Sequence, residues 1–540
     1  KLAPICAELF RDLDNDAVDF VDNYDNTMKE PALLPTTFPN VLVSANQGIA
    51  VGMASQICGF NLGEVCDTTV AYLKNPDHDI TSTLLAPDFP TGGEIICTPE
   101  ELREVYATGR GGIKVRAKWR YDKKENVIEV YEIPYSTSIE AILDKVAELV
   151  KIIQPSEDRA QPVCPIYADC GGCQLQHHAY ASQLLAKGQQ VQDALERIGH
   201  LHCEVQPTLG MVSPWRYRNK MQFPVQGRKG FLEIGCYALK THGVINTSDC
   251  LIQEEGNNRV LEAVRCWMQE FHIPAYDERS GSGLVRHVMG RTGAGGEVLA
   301  VVICTRAQVP YSDELVRILR EQVPGLVGAV VNVNPKRTNI IMGQECHTLW
   351  GRDYLLDRLG DLQFRVSPLS FFQVSRAQAE VLYNIVLDLG CLCGQENVAD
   401  VYCGTGTISL FLARRARKVF GIEIVAAAIR DARENALYNN IDNAEFLVGD
   451  AAKELPRLLA KGFRPDAVVV DPPRAGCEEK VLQSIMAVSP KRIVYVSCNP
   501  ATLARDLGIL CDKYDIIRVQ PVDMFPQTTH VETVVGLVLK

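Results

Sequence analysis

Two residues stand where an apolar run hands over to a turn, a place from which a side chain can do chemistry. In IVYVSCNPATLARDL, residues 493–507, Cys498 follows a β-like run and precedes a helical stretch. In FRPDAVVVDPPRAG, residues 463–476, Asp471 closes a similar run and is followed by Pro472 and Pro473. A cysteine reacts as its thiolate, and a strand-end carboxylate can accept hydrogen bonds from a ligand. Each has a plainer reading: Cys498 as one core thiol among 19, and Asp471 as the opening of a turn. Their coincidence on neighbouring strands favours a site, because doubly wound folds bind ligands in the crevice beyond the carboxyl ends of their strands.

The elements that must position them alternate β and α over residues 397–540, which predicts an α/β, Rossmann-like doubly wound sheet. NVADVYC reads as a strand, GTGT as a tight turn and ISLFLARRA as an amphipathic helix, followed by the strand KVFGIEI and the helix AIRDARENALYNN. Gly404 and Gly406 let a ligand approach the backbone. Glu423, about 20 residues on, is placed to accept hydrogen bonds from ribose hydroxyls. Ser409 occupies the third position of a G-x-G-x-x-G pattern. The turn alone therefore leaves nicotinamide and S-adenosylmethionine enzymes unresolved.

A second group lies upstream. Cys164, Cys170 and Cys173 have the spacing C-x5-C-x2-C around Gly171 and Gly172, and Cys250 follows in NTSDCLIQ. Three thiolates on one loop with a fourth from elsewhere fit zinc or a [4Fe–4S] cluster, the alternative being unliganded cysteines. Cys203, Cys236, Cys266, Cys304, Cys391 and Cys393 lack this grouping and are expected in the core.

At 540 residues the chain should be multidomain. No apolar run reaches the roughly 18 residues of a membrane span. The first residues lack the regions of a secretory signal, so scattered cysteines imply a reducing, cytoplasmic setting. The net charge of −11 is uneven: residues 1–151 hold 14 Lys and Arg against 24 Asp and Glu, leaving 41 against 42 for the rest. The acidity thus says little against RNA binding by the remainder.

Residues 1–151 carry FPNVLVSANQGIAVGMASQICGFNLGEV, PDFPTGGEII and GRGGIKVRAKWRYDKKENVIEVYEIPY. In order, these resemble the breakage-reunion subunit of type II topoisomerases, gyrase A or its topoisomerase IV counterpart. The resemblance implies an α+β fragment in which Ile49 of GIAVGMA would wedge between DNA base steps. The family's DNA-cleaving tyrosine falls before Lys1, so strand cleavage is not expected, and DNA binding is weighed against an inert fragment. The match ends at ILDKVAELVK, near Lys151.

The remainder, from about residue 152, contains CPIYADCGGCQLQH, SFFQVS, DVYCGTGT, DPPRAG, SCNPATLARDL and TTHVETV. Together these resemble the RNA uracil-5-methyltransferases, and the cysteine motif resembles the iron–sulfur branch that modifies 23S rRNA. The resemblance implies S-adenosylmethionine contacts by Gln373, Tyr402, Glu423 and Asp471, with Cys498 as nucleophile and Glu532 as base. It also implies a [4Fe–4S] cluster on Cys164, Cys170, Cys173 and Cys250. The expected parts are a remnant of the family's RNA-binding β-barrel (TRAM domain) at 152–163, an α+β iron–sulfur and RNA-binding domain at 164–360, and a methyltransferase domain at 361–540. The partner is RNA, with 23S rRNA ahead of tRNA, no membrane is involved, and the protein is expected as a monomer.

Further expectations follow from that chemistry. The dipole of the helix after Asn499-Pro500 should favour the Cys498 thiolate by about 0.3–1 kcal/mol. Arg505 or a backbone amide is a donor for the enolate oxygen. Phe371 and Phe372 provide a stacking face for a flipped base, or else belong to the core. In SPWRYRNKMQFPV, Arg216, Arg218 and Lys220, interleaved with Trp215 and Tyr217, share one face at strand spacing, apt for phosphates or simply solvated.

Overall fold

The computed structural model describes residues 5–540 apart from 24–27, 45, 51–52, 123–126, 135–136, 138–153, 229–230 and 240, and structural statements here concern the described residues. The expected junction at ILDKVAELVK lies outside them. The chain separates into two compact units, Lys1–Gln154 and Pro155–Lys540.

The first unit holds short helices α1 (Cys6–Phe10), α2 (Asn40–Val43), α3 (Leu62–Lys74) and α4 (Pro99–Thr108). Its strands pair only two at a time: β1 (Phe20–Asp22) with β2 (Lys29–Pro31), β3 (Asn46–Ala50) with β4 (Met53–Ile57), β5 (Glu94–Ile95) with β6 (Val115–Arg116), and β7 (Lys118–Asp122) with β8 (Val127–Glu132). Local signals are well made. Asn61 caps α3, and Thr98 with Glu101 forms a capping box on α4, with Pro99 in its first turn and Gly109 closing it in the left-handed region. Ile49 lies on β3, opposite Ala54. Among the described residues of this unit, the buried aliphatic side chains are Val65, Leu84 and Leu102.

The second unit begins with α5 (Tyr180–Arg197) and a mixed seven-stranded sheet. Its strands are β9 (Lys220–Arg228), β10 (Phe231–Tyr237), β11 (Val244–Asn246), β12 (Val285–Thr292), β13 (Val298–Cys304), β14 (Leu326–Val333) and β15 (Glu345–Gly351), in the order β11-β10-β9-β12-β13-β14-β15. Helices α6 (Glu255–Glu270) and α7 (Ser312–Gln322) bury their apolar stripes, among them Val260, Val264 and Leu315, with Phe223 and Val302 of the sheet.

The hairpin β16 (Leu355–Leu359) and β17 (Leu362–Val366) and helix α8 (Arg376–Gly390) lead into the second sheet. Here β18 (Asn397–Val401), β19 (Lys418–Glu423), β20 (Ala444–Val448), β21 (Ala467–Val470) and β22 (Arg492–Ser497) run parallel. Helices α9 (Thr407–Ala413), α10 (Ala426–Tyr438), α11 (Ala451–Ala460), α12 (Glu479–Val488) and α13 (Pro500–Leu510) connect them. The last strands, β23 (Tyr514–Val522) and β24 (Glu532–Leu539), close the order β20-β19-β18-β21-β22-β24-β23, with β24 antiparallel to both neighbours.

Near-continuous apolar runs such as AVVV fit strands covered on both faces. Val398, Val469 and Val494 face one core with α8, α9 and α10, whereas Ala399, Val468 and Ile493 face the other with α12, α13 and α5. The first of these cores also contains Leu299 and Val330 of the preceding sheet, so the boundary expected at 360/361 runs through shared packing. No helix among the described residues is long and apolar enough to cross a membrane.

Candidate active site

Strand register assembles the site. Val401 pairs with Ile422 and with Val470, and Val470 pairs with Tyr495, so the next residues, Tyr402, Glu423 and Asp471, emerge at one edge of the sheet. Ser497 pairs with Thr533, which sets Cys498, one residue beyond β22, across from Glu532 at the start of β24. An antiparallel strand begins where its parallel neighbours end; the proposed nucleophile and base therefore come to the same rim. Gln373, Tyr402, Glu423, Asp471, Cys498 and Glu532 all line one cavity of about 1010 Å³.

The loop after β18 is shaped for close approach. Tyr402, Gly404 and Gly406 all have positive φ, at 68°, 54° and 79°. A side chain at Gly406 would collide with Ala432 and Phe446, whereas one at Gly404 would project into open space. Glu423 accepts the Gly404 amide at 3.3 Å and the Val425 amide at 2.9 Å. Ser409 is buried and donates to Asp400.

Burial dominates the electrostatics. It raises Asp471 to about 7. It raises Glu532 to about 8, with Asp471 adding and Arg474 opposing. Cys498 is pushed up to about 11 by burial, then by Glu532 and Asp471, against Arg474. Asn499 caps α13 with its side chain on the Ala501 amide at 3.1 Å, while burial is the largest influence on the thiol and raises it.

Arg505 is not in the cavity. Its guanidinium is held by Asp506 at 2.8 Å and the Ala475 carbonyl at 2.9 Å. Alongside Arg430, the cavity wall carries Arg474, inside DPPRAG, with His530 and Phe525. None of these was assigned a role from sequence, although the motifs DPPRAG and TTHVETV contain Arg474 and His530. The aromatic pair also divides: Phe371 is 68% exposed and lines the cavity, while Phe372 is 4% exposed and packs on Phe364.

With this geometry in view, residues 352–540 match the family model for tRNA (Uracil-5-)-methyltransferase. An RNA methyltransferase of Clostridium tetani is 47% identical over 392 residues, covering 72% of this chain and 85% of its own. Another, from Clostridium acetobutylicum, is 47% identical over 467 residues, covering 86% and 97%. The chain belongs to the RNA uracil-5-methyltransferase family. The crystal structure of Pyrococcus abyssi tRNA (uracil-54, C5)-methyltransferase in complex with S-adenosyl-L-homocysteine is similar with a TM-score of 0.58 and 28% identity, covering 72% of this chain and 88% of that one. Residues 1–160 match the family model for the A subunit of DNA gyrase/topoisomerase IV.

In this methyltransferase, Cys164, Cys170, Cys173 and Cys250 line a separate cavity of about 520 Å³. Among the described residues, no group of three or more His, Cys, Asp or Glu is gathered as a metal site. The donor chemistry is nonetheless uniform: thiols with Arg218, Lys220 and His287 on the wall, and no carboxylate among the lining residues. His287 is buried with neither ring nitrogen hydrogen-bonded. Cys236 is on the same wall, hydrogen-bonded to Cys170, rather than simply in the core. Cys391 and Cys393 are exposed because they lie past the C-terminus of α8.

The basic stripe at 216–220 divides between two surroundings. Arg216 has φ 53°, lies before β9 and pairs with Asp249 at 2.6 Å. Arg218 and Lys220 turn to the cysteine cavity, where burial lowers Lys220 to about 7, assisted by Arg291 and Arg218.

Proposed function

We propose that this RNA methyltransferase methylates carbon-5 of a uracil in 23S rRNA, through a covalent Cys498 adduct and proton removal by Glu532. The observation that carries the reading is the register setting Cys498 across from Glu532, beside Asp471, on a cavity shared with Tyr402 and Glu423. S-adenosylmethionine supplies an electrophilic methyl group when bound. Gln373, Tyr402, Glu423 and Asp471 would hold it; the ligand-sized cavity, the open cradle at Gly404 and the Glu423 carboxylate support that fit.

Carbon-5 of uracil is too weak a nucleophile to take the methyl group unaided, and covalent addition divides the difficulty. The Cys498 sulfur bonds to carbon-6, its proton passing to a carboxylate as the bond forms, and ring electrons move to an enolate. Arg474 supplies positive charge to offset this development in a desolvated site. Carbon-5 then takes the methyl group as the bond between that methyl and its donor breaks. Glu532 removes the carbon-5 hydrogen, the electron pair restores the ring double bond, and the carbon–sulfur bond breaks. A carboxyl raised to about 8 is a stronger base than an ordinary one once ionised. The target base must be flipped or unpaired, and exposed Phe371 is placed to stack on it for about 1–3 kcal/mol.

Cys164, Cys170, Cys173 and Cys250 would hold a [4Fe–4S] cluster, whose contribution would be to pin their loop, since the reaction requires no electron transfer. The enzyme works as a cytoplasmic monomer. The test incubates the protein with labelled methyl donor and unmodified 23S rRNA fragments or tRNA transcripts. Methyl transfer to 23S fragments that is lost in Cys498→Ala is expected, and transfer surviving the substitution would remove the nucleophile assignment. Exclusive methylation of tRNA would move the substrate to the second reading, which the family description and the Pyrococcus neighbour favour. Duplex DNA binding that disappears in Ile49→Ala would give the first unit a role of its own.

A further inference from the structure

The segment between β23 and β24, residues 523–531, brings Phe525 and His530 to the cavity wall and leads directly into Glu532. Side chains from α5, a helix outside the methyltransferase sheet, hold it. Lys187 donates to Asp523 Oδ1 at 2.6 Å and to the Phe525 carbonyl at 3.1 Å. Tyr180 donates to Asp523 Oδ2 at 2.9 Å. Gln183 donates to the Gln527 side chain at 3.0 Å and accepts the Gln527 amide at 3.1 Å. The spacing of Tyr180, Gln183 and Lys187 puts all three on one helix face.

The cysteine-bearing loop adds the amides of Gln174 and Leu175, both 2.9 Å from the Gln527 carbonyl. The side chains of Lys187 and Asp523 are 2% and 0% exposed. A buried ion pair is often no more stable than apolar residues of similar volume, so fold stability alone is a weak reason for this one. Cys498 is held by a different network: the Asn499 amide meets Ser497 Oγ at 3.1 Å, and the Asn499 side-chain amide meets the Arg474 carbonyl at 3.1 Å. The side-chain hydrogen bonds that hold the loop at Cys498 are thus different from those that hold residues 523–531, although β22 and β24 are paired strands.

We infer that Lys187, Asp523 and Gln183 are positioning residues for the proton-abstraction half of the reaction, holding residues 523–531 so that Glu532 meets the carbon-5 hydrogen after methyl transfer. This rests on the reading of Glu532 as the base. Thiol addition at Cys498 does not depend on them.

Two variants remove the strut without leaving a lone buried charge: Lys187→Met combined with Asp523→Asn, and Gln183→Met. The full chain is given the 23S rRNA or tRNA transcript that the unsubstituted enzyme methylates, prepared with tritium at uracil carbon-5. Two quantities are followed, the SDS-stable protein–RNA complex and the released tritium. The expected result is complex formation at the unsubstituted rate with tritium release slowed by about tenfold or more, so that complex accumulates. RNA containing 5-fluorouracil, which offers no proton at carbon-5, should trap variants and parent alike. Parallel loss of complex formation and tritium release, or loss of neither, overturns the proposal. Glu532→Gln in the same assay separates the two claims. Unslowed tritium release from that variant removes the base assignment and the strut's role with it. Complex accumulation there with normal turnover in both strut variants removes the strut alone.

Discussion

The two units differ in what holds their elements. Those of the first have sound caps and turns but little shared interior: its strands pair in twos, and Leu33, Leu73 and Ile128 stand in solvent. Those of the second are buried by their neighbours, with the same strands feeding cores on both faces of the sheet. Local signals suffice to start a helix, but most helix stability in proteins comes from packing an apolar face. The thiol, carboxylates and cation of the proposed site all lie in the second unit, at the edge of its sheet.

Substitutions should divide along the same line. The largest effect is expected for Cys498→Ala, which removes the covalent step and should lower methyl transfer by at least about 10⁴-fold, whereas Ile49→Ala should leave the rate unchanged. Parallel kinetics on the same RNA would check both, and a slow Ile49→Ala enzyme would break the contrast.

Glu532→Gln should slow turnover by about 10²–10⁴-fold and should also flatten two pH trends of opposite sign. The folded chain keeps the Glu532 proton up to about pH 8, whereas an unperturbed glutamate releases it near 4.5. Unfolding therefore releases a proton between those values, and stability falls as pH rises through that window before levelling off. Turnover should rise over the upper part of the same window as the base ionises. Melting curves and single-turnover rates at stepped pH would detect both, and equal slopes in parent and variant would contradict the assignment.

Leu507→Ala, at a fully buried position of α13, should cost about 2–5 kcal/mol in denaturant unfolding. Leu102→Ala on α4 should leave that main transition in place. Least disruptive should be brief proteolysis of the full chain: cuts within residues 1–154 and a protected fragment beginning near Pro155, with methyl transfer retained. A protected first unit would mean that its interior is better made than its burial implies.

What could be read from sequence follows the range of each signal. Asp471 and Cys498 were visible as strand ends because apolar runs mark buried parallel strands, and Glu423 because a short spacing ties it to the Gly404 turn. The pairing of Cys498 with Glu532 was not a matter of spacing. It depends on antiparallel insertion of β24, a long-range choice that only the resemblance pointed to. Strand alternation holds for Arg218 and Lys220, which share the cysteine-cavity wall, but fails at Arg216, where a positive φ precedes β9 and the partner Asp249 lies 33 residues away. Arg505 is near Cys498 in sequence, but α13 carries its guanidinium away from the cavity to Asp506 and the Ala475 carbonyl. Cys236 looked solitary because its partner, Cys170, arrives through a backbone bridge between Cys170 and Ala238.

The place of β24 has a consequence for how the enzyme is made. Although it follows β23 in the chain, it lies between β22 and β23. On the ribosome, Cys498 and the loops of the donor crevice emerge before the carboxylate that completes their chemistry. The gap between β22 and β23 must stay open, or reopen, until Glu532 and its strand arrive. On the proposed roles, a chain interrupted before β24 has the thiol but lacks the carboxylate that would release a methylated base.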